Sequence, residues 1–209
     1  MAFAGVLFDL GGVVLDSPLH AIARFERKQG IPEGFVNHVV ASTGTEGAWG
    51  RLERGRIDFA AFVPAFEAEC AAAGQRLSAR ALMEEIGRVA QPRPPMLSAI
   101  RRIRSRGLLA AALTNNWPSE DRDAGDDSLR AQFDAFFESS ALGLHKPDPR
   151  IYEHACSALA IRPADAVFLD DIGRNLKAAR ALGMTTIRVV EPRSALAELE
   201  SVLGFPLLD

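Results

Sequence analysis

Polar side chains stand where three short apolar segments of this chain end. These positions hold Asp9, then Thr114, Asn115 and Asn116, and finally Asp170 and Asp171. A carboxylate is costly to bury without a partner, and open α/β sheets bind their ligands at the carboxyl ends of the strands. Carboxylates at such an edge can act as covalent nucleophiles or as ligands of hard cations. The pattern therefore predicts one functional site built from all three segments.

The segments that must position these residues have the pattern of buried strands. Short apolar runs without strict alternation are typical of strands that are covered on both faces. The candidates are 4–8, 108–113, 166–169 and 185–190, with 136–139 as a weaker fifth. Helical patterns separate them at 96–106, 151–159 and 176–182. Because this alternation is typical of βαβ units, the sequence predicts an α/β fold with a doubly wound, Rossmann-like parallel sheet.

The chain between the first strand and the helix at 96–106 has a different character. From 17 to 90 it is rich in Ala, Phe, Glu and Arg and contains no convincing strand. Four residues at helical spacing predict one buried helix face: Phe59, Phe62, Phe66 and Cys70. The proline-rich stretch 91–95 predicts a stiff return linker. We expect a helical cap domain, 17–91, inserted after the first strand of a core domain that comprises 1–16 and 92–209.

Size and composition limit the classes of function. The 209 residues, 48% of them hydrophobic, suffice for one buried core and a smaller accessory unit. A net charge of −3 without a dense basic block argues against a nucleic-acid-binding protein. The chain has no apolar stretch of the roughly 18 residues needed to cross a bilayer and only two isolated cysteines. The first predicted strand follows the N-terminus without the charged region or cleavage site of a signal peptide, so we expect none. We therefore expect a cytoplasmic protein without a membrane partner, either a monomer or a homodimer.

Four segments resemble the motifs of the haloacid dehalogenase-like (HAD) hydrolase superfamily, in the order in which that superfamily carries them. They are 8–13, 113–115, 146–147 and 169–171. The segments 114–117, 146–152 and 168–177 more specifically resemble the N-terminal phosphatase domain of soluble epoxide hydrolases and the matching domain of acyl-CoA dehydrogenase fusions. The resemblance extends over essentially the whole chain and implies a HAD-like core with a cap.

The resemblance implies phosphoryl transfer to a carboxylate. Asp9 would attack the phosphorus of a small phosphorylated substrate, and water would then hydrolyse the aspartyl-phosphate. Because several carboxylates near a phosphate repel one another, the acidic residues are best explained by a hard divalent cation, Mg²⁺. The resemblance implies that Asp9, Asp171 and the backbone carbonyl of Gly11 bind it directly, and that Asp170 binds it directly or through water. The alternative for Asp170 and Asp171 is a helix N-cap.

The resemblance also implies residues that hold the phosphate. Lys146 would bridge Asp9 and the phosphate as a compact cation; its alternative is a solvated surface lysine. The expected substrate contacts are Gly11, Gly12, Thr114, Asn115 and Asn116. For Thr114 and Asn115, the alternative is an N-cap or a turn. Asn175 would support the loop of the fourth motif, or lie in the first turn of the following helix.

Gly11 is the departure from the superfamily pattern that matters. Most phosphatases of the superfamily have an aspartate there, which protonates the leaving oxygen and later activates water. General acid–base catalysis is worth typically about 10²–10⁴-fold in rate. Three alternatives remain open: substrates with better leaving groups, a replacement acid such as Asp16 or His20, or a protein that binds phosphate without turnover.

The sequence thus predicts a Mg²⁺-dependent phosphohydrolase that acts on small phosphorylated metabolites. A non-catalytic phospholigand-binding protein is the first alternative. A 2-haloacid dehalogenase-type hydrolase is the second, since that branch also lacks an acid at the position of Gly11. Its chemistry attacks carbon and needs no metal, so the Asp170–Asp171 pair argues against it.

Overall fold

The central feature of the fold is a five-stranded parallel sheet with the strand order β3-β2-β1-β4-β5. The computed structural model describes residues 3–117 and 128–208. The strands are β1 Gly5–Phe8, β2 Leu109–Thr114, β3 Ala135–Glu138, β4 Ala166–Asp170 and β5 Thr185–Arg188. The predicted α/β class and parallel sheet are confirmed, including the weaker fifth strand. The last strand ends earlier than predicted, at Arg188, and Val190 beyond it is 81% exposed.

Helices flank the sheet and fill the chain between β1 and β2. They are α1 Pro18–Gln29, α2 Phe35–Thr43, α3 Ala48–Glu53, α4 Phe59–Ala72, α5 Ala79–Val89, α6 Pro94–Ser105, α7 Ser139–Leu142, α8 Pro149–Ala158, α9 Gly173–Ala181 and α10 Pro192–Leu203. Proline occupies the first turn of several of them. Backbone N–H groups in the first turn have no acceptor within the helix, so proline costs no hydrogen bond there. For this reason Pro94 and Pro95, predicted as part of a linker, instead begin α6.

Apolar side chains bury both faces of the sheet. In β1, Val6 and Phe8 belong to the cluster on one face, whereas Leu7 belongs to the cluster on the other. All three side chains are fully buried. A strand that is covered on both sides has no polar face, which explains why the predicted strands appear as continuous apolar runs.

Helices α1–α5 share an apolar cluster of their own. It contains the predicted face of α4, with Phe62, Phe66 and Cys70 fully buried, while Phe59 lies at its edge. The rings of Phe62 and Phe66 stack with centroids 5.3 Å apart. We call the helices α1–α5 the cap; the predicted domain limits, 17–91 for the cap, stay a prediction.

The two chain crossings between the sheet and the cap lie side by side. Arg93 N donates to the carbonyl of Val14 at 2.8 Å, and Asp16 N donates to the carbonyl of Gln91 at 3.1 Å. The Arg93 guanidinium adds a bond to the carbonyl of Gly12 at 2.7 Å. These bonds fix where the cap leaves and rejoins the sheet. Within the described ranges, no helix has both the length and the apolar character needed to cross a membrane.

Candidate active site

Strand pairing brings the carboxylates of two distant motifs together. Asp9 directly follows β1, Asp170 ends β4, and these two strands are neighbours in the sheet. Asp9 N continues their ladder by donating to the carbonyl of Leu169 at 2.9 Å. Lys146 places its ammonium between the two acids, 2.8 Å from Asp9 Oδ1 and 2.7 Å from Asp170 Oδ2. The sequence-predicted nucleophile, lysine and fourth-motif acid therefore meet at one point.

The Asp170 carboxylate is buried and fully hydrogen-bonded. Its Oδ1 accepts from the backbone N–H of Ile172 at 2.8 Å, and the Asn175 amide donates to both carboxylate oxygens at 3.1 Å. Together with Lys146, these donors hold Asp170 in one orientation. Asn175 thus has the contact that its predicted supporting role requires.

Asp171 differs because one of its oxygens lacks a partner. Among the described residues, its buried Oδ1 has no hydrogen-bond partner. Carboxylate oxygens of Asp9, Asp170 and Asp171 lie within 4.8 Å of one another. A buried acceptor without a donor, in a cluster of hard oxygen ligands, is what a divalent cation site requires. The residues present therefore fit a bound Mg²⁺.

Gly12 leaves room for the Asp171 carboxylate because it has no side chain. Its φ is +81°, and a Cβ at this position would overlap the Asp171 carboxylate. Only glycine satisfies both conditions. Gly12 is buried against Asp171, and its contact with substrate stays a prediction. Gly11, in contrast, lies in the wall of the cavity that contains Asp9.

Asn115 holds the backbone of Lys146 through two hydrogen bonds. Its Oδ1 accepts from the backbone N–H of Lys146 at 2.8 Å, and its Nδ2 donates to the backbone carbonyl of Lys146 at 3.0 Å. This reciprocal pair joins the end of β2 to the third motif. Asn115 also lines the cavity, so it positions Lys146 and borders the site at the same time.

Among the described residues, Asn116 and Thr114 make no hydrogen bond to the carboxylate cluster. The Asn116 amide donates to Glu138 Oε1 at 2.5 Å, and its Oδ1 accepts from the hydroxyl of Ser140 at 3.0 Å. Thr114 is buried and lines, with Asn116, a neighbouring cavity of about 400 Å³ that shares Gly11 and Asn115 with the cavity over Asp9. The structure thus joins the Asn116 side chain to β3 and α7, and its contact with substrate stays a prediction.

The cavity over Asp9 is bounded by the sheet on one side and by the cap on the other. It has a volume of about 180 Å³, and the sheet side contributes Asp9, Lys146 and Asp171. The cap contributes residues that the sequence did not predict, among them Asn37, Val40, Trp49 and Glu53, and α9 contributes Arg174. An adjoining space of about 310 Å³ shares Trp49, Glu53 and Arg174 with it. Trp117, Ile172 and Arg174 also line the cavity without having been predicted, and they lie in segments that the resemblance had singled out.

The two acids suggested as replacements for the missing one lie outside this cavity wall. Asp16 is exposed at the cap crossing, and its carboxylate pairs with Arg93 at 3.3 Å. His20 is exposed on α1. As far as the described residues define the cavity, neither residue lines it; Asp16 instead lines the cavity of about 400 Å³ that contains Thr114 and Asn116.

Burial and mutual repulsion shape the charges of the cluster. Burial raises the pKa of Asp9 to about 7, against the opposing effect of Lys146 and with further increases from Asp170 and Asp171. Burial also raises the pKa of Asp171. Although burial alone lowers the pKa of Lys146, the nearby carboxylates raise it above its ordinary value. One lysine faces three carboxylates, so the cluster favours an additional positive charge.

In the metal-free protein, the contribution of Asp9 to stability should fall as the pH rises from about 4 to about 7. Burial raises the folded-state pKa of Asp9 from 3.8 to about 7. In this interval the folded protein holds a proton that the unfolded chain has released, so raising the pH favours unfolding. Urea denaturation in EDTA should show the Asp9→Asn variant gaining stability relative to the unsubstituted protein across this range. A difference between the two proteins that does not change with pH would contradict the raised pKa.

Comparison with known proteins agrees with the resemblance. The haloacid dehalogenase-like hydrolase family model matches residues 3–183. Bifunctional epoxide hydrolase 2 of Sus scrofa is 36% identical over 222 residues, with 100% of this chain and 40% of that protein covered. Acyl-CoA dehydrogenase family member 10 of Mus musculus is 36% identical over 209 residues, with 99% of this chain and 20% of that protein covered. The chain therefore spans less than half the length of either relative.

The fold is also found in a solved structure. A HAD family enzyme of Bacteroides thetaiotaomicron, in complex with magnesium and inorganic phosphate, superposes with a TM-score of 0.66 at 22% sequence identity. The match covers 93% of this chain and 99% of that chain. At this identity the similarity shows the fold alone. The family match over most of the sequence, with the motif residues assembled at one sheet edge, establishes that this chain belongs to the haloacid dehalogenase-like hydrolases.

Proposed function

We propose that this hydrolase is a magnesium-dependent phosphohydrolase of small phosphate monoesters, with Asp9 as the nucleophile. The observation that supports it most strongly is the convergence of the Asp9, Asp170 and Asp171 carboxylates, two of which contact the ammonium of Lys146, beside a cavity that cap residues also line. An anionic nucleophile beside two further acids can approach a phosphate only where positive charge compensates the repulsion. Lys146 supplies part of that charge, and a cation would supply the rest.

Mg²⁺ would be held by Asp9, Asp171 and the backbone carbonyl of Gly11. Asp171 Oδ1, the buried oxygen without a partner, is the strongest support for this assignment. Asp170 would not be a direct ligand, because Lys146, Ile172 and Asn175 already donate to its oxygens. When bound, the cation would offset the charge of the phosphate oxygens and of the carboxylates. The magnesium and phosphate in the related B. thetaiotaomicron enzyme agree with this proposal.

The reaction would proceed in two displacement steps at phosphorus, in which the side chains have different roles. Asp9 attacks phosphorus, forming the aspartyl-phosphate as the bond to the leaving oxygen breaks. Its Oδ1 is held by Lys146 at 2.8 Å and by the backbone N–H of Leu10 at 2.7 Å, which fixes the direction of the carboxylate. The buried indole of Trp49 covers the site from the cap and limits the entry of bulk water. One water molecule then hydrolyses the aspartyl-phosphate.

A panel of phosphate monoesters, assayed with Mg²⁺ and with EDTA, tests the proposal. We expect inorganic phosphate to be released from at least one aryl phosphate with Mg²⁺ present, and no release after EDTA. Binding of phosphate without any turnover would favour the non-catalytic alternative. Halide release from a 2-haloacid in the presence of EDTA would favour the dehalogenase alternative. Either result would overturn the phosphohydrolase assignment.

Mg²⁺ should also stabilise the folded protein, independently of activity. A ligand at a hundredfold excess over its Kd adds about 2.7 kcal/mol, which corresponds to an increase in Tm of about 5 °C or more for a domain of this size. Asp171→Asn should remove most of this increase, because it replaces the carboxylate that has the unpartnered oxygen. Thermal unfolding with and without MgCl₂ measures the shift.

The exposed Glu84 of α5 provides the matched control. Glu84→Gln removes the same charge far from the cluster and should keep the full increase in Tm with MgCl₂. An equal response of both variants would contradict the role of Asp171, and NaCl at the same ionic strength separates specific binding from screening.

A further inference from the structure

We propose that Glu53 of the cap is the general acid–base residue of the reaction. This inference rests on the proposed phosphohydrolase function and identifies the group that supplies the proton which Gly11 cannot. Gly11 has no side chain, and a Cβ added there would lie 3.1 Å from Cδ of Pro18 in the first turn of α1. A larger side chain at this position would therefore need a small shift of the Pro18 ring. The proton must come from another part of the cavity wall.

Glu53 lies in the wall of the cavity that contains Asp9 and Lys146. It is the last residue of α3 and is partly buried. Among the described residues that line this cavity, it is the one carboxylic acid outside the cluster of Asp9, Asp170 and Asp171. Asp9 approaches from the edge of the sheet, whereas Glu53 belongs to the cap. Because in-line displacement places the leaving oxygen opposite the nucleophile, that oxygen faces the cap side, where Glu53 lies.

Two contacts hold Glu53 in place. The indole N–H of Trp49, one helical turn earlier, donates to Glu53 Oε1 at 3.1 Å. The hydroxyl of Ser139 donates to the backbone carbonyl of Glu53 at 2.5 Å and so attaches the end of α3 to the core. Since Oε1 already accepts a hydrogen bond, the proton of the acid form resides on Oε2. Trp49 is itself fixed by edge contacts with Phe66, centroids 5.4 Å apart, and with Trp117, 5.9 Å apart.

The surroundings of Glu53 suit a group that gains and loses a proton. Burial raises its pKa above the ordinary value for glutamate, while the Trp49 hydrogen bond and the charges of Arg174 and Lys146 act in the opposite direction. His145, whose pKa burial lowers, lines the adjoining space. A carboxyl group in such a balance can serve as an acid in one step and as a base in the next.

Proton transfer through Glu53 balances both steps. In the first, the Asp9 carboxylate forms a bond to phosphorus, the bond from phosphorus to the ester oxygen breaks, and Glu53 gives its proton to that oxygen, releasing an alcohol. In the second, water attacks phosphorus, the Glu53 carboxylate takes one of its protons, and the bond from phosphorus to Asp9 breaks. The second step releases phosphate and restores both the Asp9 carboxylate and the acid form of Glu53.

The test compares Glu53→Gln with the unsubstituted protein on two substrates of similar size. The first, p-nitrophenyl phosphate, has a phenolate leaving group that departs without a proton; the second, p-nitrobenzyl phosphate, releases an alcohol that needs one. Single-turnover release of p-nitrobenzyl alcohol should fall by about 100-fold or more, whereas the initial burst of p-nitrophenolate should change by less than about threefold. After the burst, phosphate should be released slowly and the aspartyl-phosphate should accumulate, because the base that activates water in the second step is missing.

Two further variants separate the proton role from a structural role. Glu46→Gln alters a glutamate of the same cap segment whose side chain is 74% exposed, and it should leave both rates unchanged. Glu53→Asp keeps the acid and should recover part of the rate on p-nitrobenzyl phosphate. Equal losses on both substrates, no loss on either, or a change in KM alone would overturn the role of Glu53. If the unsubstituted protein released no phosphate from either substrate with Mg²⁺, the phosphohydrolase proposal itself would be overturned, and this inference with it.

Discussion

Replacing Asp9 by asparagine should reduce phosphate release by at least about 10⁴-fold, because the covalent route disappears with its nucleophile. An amide nitrogen or oxygen cannot form the aspartyl-phosphate that water hydrolyses. The folded protein should be at least as stable as the unsubstituted one. The buried Asp9 carboxylate has a pKa raised to about 7, so its charge is unfavourable in the fold. Lys146 keeps its second partner, Asp170, at 2.7 Å.

The measurement combines phosphate release under saturating Mg²⁺ with the midpoint of thermal unfolding. Glu84→Gln, which removes a carboxylate from an exposed helix position, serves as the matched control and should retain the activity of the unsubstituted protein. If Asp9→Asn kept activity within tenfold of the unsubstituted protein after purification to homogeneity, Asp9 would not be the nucleophile. A large fall in Tm would instead show that the Asp9 carboxylate stabilises the fold, contrary to its raised pKa.

The sheet could be predicted from the sequence because its strands are buried on both faces. Such strands have no polar side, so β1, β2 and β4 appear as short apolar runs, and each ends where a polar residue begins. The order of the strands depends on contacts between distant segments, which local patterns do not contain. That order determines the site, since the pairing of β1 with β4 places Asp9 beside Asp170.

The motif residues were predictable as a group, but their individual contacts were not. Nothing within 114–117 shows that the Asn116 amide donates to Glu138 and accepts from Ser140, because these partners come from β3 and α7. Gly12 is similar, since only the fold reveals that the Asp171 carboxylate occupies the space of its missing side chain. Short motifs specify residue types near a site; tertiary packing decides which of them face the substrate.

The cap residues of the cavity could not be identified from periodicity. Helical spacing correctly indicated the buried face of α4, with Phe62 and Phe66. It does not indicate which polar residue at a helix end lies over the site. Glu53 is such a residue, at the last position of α3 between an aromatic cluster and the cavity. The contribution of a cap to chemistry therefore depends on how the cap docks on the sheet.

Replacing Lys146 by methionine should destabilise the metal-free protein by about 3–5 kcal/mol, the range for removing one partner of a buried ion pair. The lysine side chain is 1% exposed, and its ammonium contacts Asp9 at 2.8 Å and Asp170 at 2.7 Å. Methionine fills a similar volume but leaves the carboxylate cluster without its cation. The loss should be larger at pH 8 than at pH 6, because Asp9, with a pKa of about 7, can take up a proton at the lower pH and relieve part of the repulsion.

Lys28→Met provides a control of identical chemistry at an exposed position. Lys28 is 59% exposed and lies 3.8 Å from Glu85, so its removal should alter stability by no more than about 1 kcal/mol. Urea denaturation of both variants gives the comparison. MgCl₂ should recover part of the deficit of Lys146→Met and none of any deficit of Lys28→Met, because the cation supplies positive charge to the same carboxylates. The double variant Asp9→Asn/Lys146→Met should have a higher free energy of unfolding than the sum of the two single changes predicts. The asparagine amide leaves less negative charge uncompensated when the lysine is absent. If Lys146→Met were no more destabilising than Lys28→Met, the acidic cluster would not depend on this lysine, and the electrostatic basis of the proposed site would fail.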